Sequence, residues 1–224
     1  LDPPLHEFLP NVEELINKVH RLESQNIPEE LEQTRKILTR ARELSEINPM
    51  MGHRGVRVGI TFPEIYEMQI RAICEAAGEL VKEGDDARAQ IMVPQVGSIE
   101  ELNQIKRIYN SIKPSVESEL GIKLKINFGT MLEVVRSCLT AEEIAKTAEF
   151  FSFGTNDLSQ AVFSFSREDA EGKFLSEYLE KEIHRENPFQ SVDVNGVGSL
   201  MEIAISKGRK VRPNMEMEAE NNFN

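Results

Sequence analysis

The apolar residues in the first third of the chain recur at the three-to-four-residue spacing of amphipathic helices. Residues 11–47 predict two helices with a break near residues 26–28, where a proline interrupts the pattern. A further helix is predicted from Pro63 to about Gly84, because proline is favoured at the first helical position. Its predicted apolar face consists of Ile65, Met68, Ile73, Ala76 and Leu80. Before it, the alternation in VRVGI predicts a short strand or extended segment.

The hydrophobic pattern changes near residue 90, where short apolar runs begin to alternate with segments of helical spacing. The runs QIMVP, KINFGT and EFFSFGT are typical of buried strands, and helical segments follow from about Ser98 and around residues 141–147. Strands joined by helices predict parallel pairing, so the fold class is α/β, either a doubly wound sheet or a (β/α)8 barrel. Functional residues of both architectures lie beyond the carboxyl ends of the strands. We therefore expect the site at Pro94, GTMLE and GTND.

The two ends of the chain have weaker patterns. LDPPLHEFLPN predicts a buried loop at the start of the chain. Towards the other end, the pattern predicts two helices, over residues 168–182 and 196–207. GRKVRPN could begin another strand, and the acidic MEMEAENNFN is expected to fray. The chain therefore divides into one domain over residues 1–214 and a divergent polar tail over residues 215–224.

Composition narrows the functional classes. The chain of 224 residues is 40% hydrophobic and 29% charged, with no apolar run long enough to span a bilayer. The formal charge of -12 disfavours nucleic-acid binding. Cys74 and Cys138 lie singly at apolar helical positions, which favours buried, reduced thiols and a cytoplasmic location. No signal or transit peptide is visible in the sequence.

Two predicted strand ends carry an acid shortly after a glycine. Glu133 follows Gly129 by four residues, and Asp157 follows Gly154 by three. Because Mg2+ prefers carboxylates completed by water and substrate oxygens, the two acids are a candidate magnesium pair. The alternative is structural: Asp157 would be a helix N-cap and Glu133 an acid in a first helical turn. Spacing alone favours the structural alternative and does not exclude the metal.

Small and basic residues near these acids suggest an anion site. Gly154, Thr155 and Asn156 would offer backbone amides to an anionic oxygen, although an ordinary turn has the same composition. Arg54 lies between Gly52 and Gly55 in MMGHRG, where it could clamp a carboxylate or phosphate or form a structural ion pair. Spacing does not choose between these roles.

The order of several motifs resembles the phosphoenolpyruvate/pyruvate-binding barrel of the phosphoenolpyruvate-utilising enzymes. The motifs are LDPPLHEFLP, NPMMGHRGVR, IMVPQVG, GTMLE, EFFSFGTNDLSQ and GRKVRPN, and they extend to about Asn214. GTNDLSQ followed by FSFSR is the specific signature of the family, and LDPPLHEF favours its pyruvate, phosphate dikinase branch. That branch interconverts ATP, pyruvate and phosphate with AMP, phosphoenolpyruvate and diphosphate.

The resemblance implies a (β/α)8 barrel and assigns residues to roles. Glu133 and Asp157 would hold Mg2+, and the four residues from Gly154 to Asp157 would line the substrate site. Arg54 would offset the charge of the phosphoryl or carboxylate group. Phosphoenolpyruvate and pyruvate would be the ligands, and a homodimer is expected for the full-length parent.

The sequence also departs from the family pattern. The family follows RPN with a CGEHGG motif, whose cysteine transfers the proton at the methyl carbon, whereas RPN is followed here by MEMEAENNFN. The phosphohistidine domain and the arginines upstream of LDPP are absent from the sequence. We therefore expect an open, partial barrel without a catalytic residue of its own. The alternatives are a noncatalytic binding or dimerisation module and a fragment of a phosphoenolpyruvate synthase.

Overall fold

The computed structural model describes residues 1–3, 9–25, 27–45 and 51–220, which form two compact units. The smaller unit comprises residues 3–54, and the larger one comprises residues 1–2 together with the chain from residue 55 onward. Much of the predicted opening loop, part of NPMMGHRG and the last four residues lie outside the described residues.

The smaller unit contains two helices, α1 (Val12–Gln25) and α2 (Pro28–Leu44), which confirms the predicted break between them. Asn11 begins α1, because its side-chain oxygen accepts hydrogen bonds from the first amides of the helix at 2.9 and 3.2 Å. Buried side chains of both helices face each other, and two exposed ion pairs flank them, Lys18 with Glu30 and Arg35 with Glu23.

The larger unit is built on a four-stranded parallel sheet in the order β1-β2-β3-β4. The strands are β1 (Arg88–Val93), β2 (Lys125–Leu132), β3 (Phe150–Gly154) and β4 (Glu216–Glu220). Helices fill the connections, as the sequence predicted. The α/β class with a parallel sheet is therefore confirmed.

The helices of this unit are α3 (Val56–Thr61), α4 (Pro63–Glu83), α5 (Ile99–Leu120), α6 (Val135–Leu139), α7 (Ala141–Ile144), α8 (Thr155–Phe163), α9 (Arg167–Lys173), α10 (Leu175–Glu180) and α11 (Ser199–Val211). A π-helical turn over Val194–Gly198 precedes α11. Within the described ranges, none of the helices has the length and apolar character needed to cross a membrane.

The sheet has one apolar face, buried under the helices, and one more polar face. Ile91, Phe128 and Phe151 belong to the buried core on the helical side. On the polar side, the Gln90 amide donates to a Glu216 carboxylate oxygen at 3.3 Å. These residues lie on the two outermost strands, about 14 Å apart in a flat sheet. The contact therefore requires a curved sheet, as expected for part of a (β/α)8 barrel wall.

The predicted strand at VRVGI is wrong, because the segment forms α3. Gly55, with φ of 57°, turns the chain into the helix, and the amide of Val56 donates to the carbonyl oxygen of Pro94 at 3.0 Å. Gly59 packs directly on Tyr66, since a Cβ at this glycine would lie 2.7 Å from the ring. The contact of Val56 with Pro94 joins distant parts of the chain, so local alternation could not reveal it.

The predicted apolar face of α4 is also wrong. Met68 and Leu80 are 63% and 45% exposed, whereas the buried side of the helix carries Tyr66, Ile70, Cys74, Ala77 and Gly78. The reason is close packing on α5: a Cβ at Gly78 would lie 2.4 Å from the Leu120 Cδ1 atom. Small residues permit this close approach of the two helices. A prediction of the buried face from hydrophobicity alone gives such residues too little weight.

The acidic tail does not fray over residues 216–220, contrary to the prediction. Helix α11 continues through Val211, and β4 pairs with β3 from Phe150 opposite Glu216 to Gly154 opposite Glu220. Met215 is buried and Met217 packs against the core, so the apolar half of this stretch anchors the strand. The domain boundary at residue 214 stays a prediction.

Both cysteines are buried and free, as predicted. Burial raises the pKa of the Cys74 thiol and raises the pKa of Cys138 to about 12. Both therefore remain protonated at neutral pH and act as small apolar side chains.

Glu117 joins the end of α5 to the start of β2. Its carboxylate, 7% exposed, accepts hydrogen bonds from the Leu124 amide at 2.8 Å and from the Lys113 ammonium at 2.6 Å. Lys123 donates to the other oxygen at 3.2 Å. Burial alone would raise the pKa of Glu117, but these donors outweigh it and lower the pKa to about 2. The carboxylate is thus an anchor of the fold.

We expect Glu117→Gln to lower the free energy of unfolding at neutral pH by about 2 kcal/mol, because charged hydrogen bonds are lost from a buried site. A depressed pKa stabilises the fold above the ordinary value of 4.5, and this contribution is lost as the pH falls towards about 2. Urea unfolding of the wild type and of the variant should therefore show a difference in the free energy of unfolding that narrows as the pH falls from 4.5 towards about 2. The control is Glu119→Gln, whose carboxylate is exposed and which should change stability little. A gap that stays constant in acid would contradict this assignment.

Candidate metal and substrate site

The two candidate acids follow neighbouring strands at the same edge of the sheet. Leu132 of β2 pairs with Phe153 of β3, so the next residues, Glu133 and Gly154, leave the two strands side by side. Parallel strands deliver their carboxyl ends to one edge, which is why sequence spacing brings these positions together.

Gly154 lies directly against the Glu133 side chain. A Cβ at this position would be 2.7 Å from the Glu133 Cβ and 2.8 Å from its Oε2 atom. It would also lie 2.8 Å from the sulfur of Met131. The absence of a side chain at Gly154 therefore permits this close approach of the backbone to Glu133.

Asp157 is the third residue of α8 and is 8% exposed. The N-cap of α8 is Gly154 and forms no side-chain cap bond, so the prediction that Asp157 is the N-cap is wrong. Glu133, 5% exposed, precedes α6 and is not in its first turn, so that structural alternative is also wrong. Neither acid has the structural role that spacing favoured for it, although Asp157 does lie in the first turn of α8.

Gln95, which the sequence analysis did not single out, connects the two acids. Its backbone amide donates to Glu133 Oε1 at 2.6 Å, and its side-chain amide donates to Asp157 Oδ2 at 2.6 Å. The Gln160 amide reaches the other Asp157 oxygen at 3.3 Å. The sequence indicated Gln95 only through its position, because it follows Pro94 just beyond the carboxyl end of β1. Its contacts are too distant in sequence to be predicted.

The remaining candidates divide between the two units. Thr155 and Asn156 are half-buried in the first turn of α8, between Gly154 and Asp157. Arg54 lies in the smaller unit, where its amide donates to the Gly52 carbonyl at 3.2 Å. Its role beside the acids stays a prediction.

The chain matches the family described as PEP-utilising enzyme, PEP-binding domain, over residues 1–222. The chain belongs to this PEP-binding domain family. The match covers both acids, Gln95 and all four strands.

Several curated relatives of this PEP-binding domain are pyruvate, phosphate dikinases. The pyruvate, phosphate dikinase of Entamoeba histolytica is 50% identical over 216 residues, 96% of this chain and 24% of that protein. The Clostridium symbiosum enzyme of the same name is 45% identical over 217 residues, again 96% and 24%. Pyruvate, phosphate dikinase 1, chloroplastic, of Arabidopsis thaliana is 47% identical over 97% of this chain and 22% of its own length. The chain spans about a quarter of the length of these relatives.

The two acids of this PEP-binding domain have the chemistry to hold a hard cation. Both are carboxylates, and Gly154 brings the start of α8 close to Oε2 of Glu133. In the part of the chain that the structure describes, no group of three or more His, Cys, Asp or Glu could hold a metal. A cation at this pair would complete its shell with water and substrate oxygens, which is the usual arrangement for Mg2+. The two carboxylates are therefore donors of the kind that Mg2+ prefers, and a magnesium site stays a prediction.

We expect Gly154→Ala to destabilise the chain by about 1–3 kcal/mol, because its methyl group would overlap Glu133 and Met131. The measurement is urea unfolding at fixed pH. Gly172→Ala is the matched control, since a Cβ at that helical position meets nothing within 4 Å. Equal stability of the two variants would contradict the close packing at Gly154.

Proposed function

We propose that this chain is the phosphoenolpyruvate/pyruvate-binding part of a pyruvate, phosphate dikinase. Such an enzyme is the phosphotransferase that interconverts ATP, pyruvate and phosphate with AMP, phosphoenolpyruvate and diphosphate. The observation that carries the proposal is the pair of buried acids that meet through Gln95 at the carboxyl edge of the sheet, in a chain of the PEP-binding domain family.

In this proposal, Glu133 and Asp157 hold Mg2+. When bound, the cation supplies Lewis-acid charge that stabilises negative charge developing on a substrate oxygen. Burial of both carboxylates limits their contact with bulk water, which strengthens their interaction with a cation. Gly154 allows the start of α8 to approach the Glu133 side chain closely.

The substrate contacts in this proposal come from the residues around Asp157. Gly154, Thr155 and Asn156 bind and orient phosphoenolpyruvate or pyruvate at the start of α8. Arg54 offsets the negative charge of the phosphoryl or carboxylate group, a role suited to a guanidinium that can form paired hydrogen bonds. The support for Arg54 is the family resemblance of its motif.

Proton transfer at the methyl carbon has no assigned residue in this sequence. The family's cysteine motif does not follow RPN, and neither cysteine of the chain replaces it. Cys138 is fully buried with its pKa raised to about 12, and Cys74 lies in the core face of α4. We therefore propose binding without turnover for the chain on its own.

The proposal includes a cytoplasmic location and a homodimeric full-length parent. An organellar parent is the alternative for location, since the name of the Arabidopsis relative specifies a chloroplastic protein. A noncatalytic module and a phosphoenolpyruvate synthase fragment remain competing functions, and ligand binding separates the first of them from the proposal.

We expect phosphoenolpyruvate to bind the purified chain in the presence of Mg2+ and to bind at least about tenfold more weakly without it, because Glu133 and Asp157 would hold a cation whose charge attracts the anionic ligand. Isothermal titration calorimetry measures this difference. Glu133→Gln and Asp157→Asn should each remove the Mg2+ dependence.

Glu142→Gln is the control for lost negative charge, because Glu142 is exposed on α7. It should bind as the wild type does. Absence of phosphoenolpyruvate binding under all conditions would favour the noncatalytic module, and conversion of pyruvate to phosphoenolpyruvate by the chain alone would contradict binding without turnover.

A further inference from the structure

Gln95 contacts both candidate metal ligands with different parts of the same residue. Its main-chain amide donates to Glu133 and its side-chain amide to Asp157, each at 2.6 Å. Gln95 itself is 4% exposed. One buried residue therefore fixes an oxygen of each acid.

The segment around Gln95 is held on both sides. Before it, the Pro94 carbonyl oxygen accepts the Val56 amide at 3.0 Å. After it, the Gly97 amide donates to a Glu101 oxygen at 2.6 Å, and the Arg136 guanidinium donates to the Gly97 carbonyl. Gln95 is consequently presented to the acids from a fixed backbone.

The backbone of Gln95 is in an unfavourable conformation. Its φ of 61° lies in the left-handed region, which is unfavourable for a residue with a side chain. Among the described residues, the other non-glycine residues with positive φ are Ser164 and Glu182, and both are exposed. Of these three residues with positive φ, Gln95 is the one that is buried, and it lies where the two acids meet. Strain of this kind persists where surrounding contacts require it.

The donor at this place is a neutral amide. It satisfies a buried carboxylate oxygen without adding a positive charge, whereas an ammonium or guanidinium in the same position would compete with a cation. Hydrogen bonds to ligating carboxylates orient them and tune metal affinity. The chemistry of the contact therefore suits a residue that supports metal ligands.

We propose that Gln95 is a positioning residue of the cation site. Its main-chain amide orients Glu133 and its side-chain amide orients Asp157, so that both carboxylates are held ready for a divalent cation. This inference rests on the proposed function and adds to it a residue that determines cation affinity.

The test uses Gln95→Gly, which keeps the main-chain donor to Glu133 and removes the side-chain donor to Asp157. Mn2+ is the probe, and its binding is measured by electron paramagnetic resonance. We expect Mn2+ affinity to fall about tenfold, in line with other residues that support metal ligands. Thermal stability of the metal-free chain should change little, because the lost hydrogen bond to Asp157 and the relief of positive-φ strain in glycine have opposite effects.

Gln90→Ala is the control, since Gln90 lies on β1, the strand that precedes Gln95, and donates to Glu216. It should leave Mn2+ affinity unchanged. In the metal-free chain, the shifts in urea midpoint of Gln95→Gly and Asp157→Ala should not add in the double variant, because the two residues share a hydrogen bond.

Unchanged or tighter Mn2+ binding by Gln95→Gly would overturn the role of Gln95 and leave the proposed function standing. Lower stability of Gln95→Gly with unchanged Mn2+ affinity would also overturn it. Additive shifts in urea midpoint for Gln95→Gly and Asp157→Ala would do the same. A wild-type chain that binds no Mn2+ would remove the proposed cation site itself, and this inference with it.

Discussion

The parallel register between β2 and β3 positions the acids and the glycine of the candidate site. Leu132 pairs with Phe153, so Glu133 emerges beside Gly154 and faces the start of α8. Side chains alternate between the faces of a strand, and a slip of one residue would turn Glu133 towards the helices. The buried phenylalanines of β3 oppose such a slip, because they would have to leave the core. Packing on one face of the sheet thus determines the chemistry at its edge.

Two buried carboxylates of this molecule, Glu117 and Asp157, have different kinds of hydrogen-bond donor among their described contacts. Glu117 is bound by two lysines and a backbone amide, a combination that stabilises its negative charge within the fold. At the candidate site, the donors to Asp157 include the amides of Gln95 and Gln160, which carry no net charge. Amide donors offset part of the desolvation cost while keeping negative charge for a cation.

The sequence was sufficient to predict the alternation of strands and helices and the gathering of Glu133 and Asp157 at one edge. Both predictions rest on local periodicity combined with a general rule for parallel sheets. Periodicity failed at α3 and at the buried face of α4, where glycines pack against Tyr66 and Leu120. Gln95 was missed for the same physical reason. Its importance comes from two contacts, 38 and 62 residues away in the chain.

The glutamates of β4 have a consequence for self-association. Within the described residues, β4 pairs with β3 on one side and with no strand on the other. It is therefore an edge strand of the sheet. Glu216 and Glu218 are exposed along this strand and carry like charges. If the same strand of a second copy were to add there, glutamates would face glutamates, and unfavourable cross-strand pairs would result. The acidic composition of β4 therefore acts as protection against edge-to-edge aggregation.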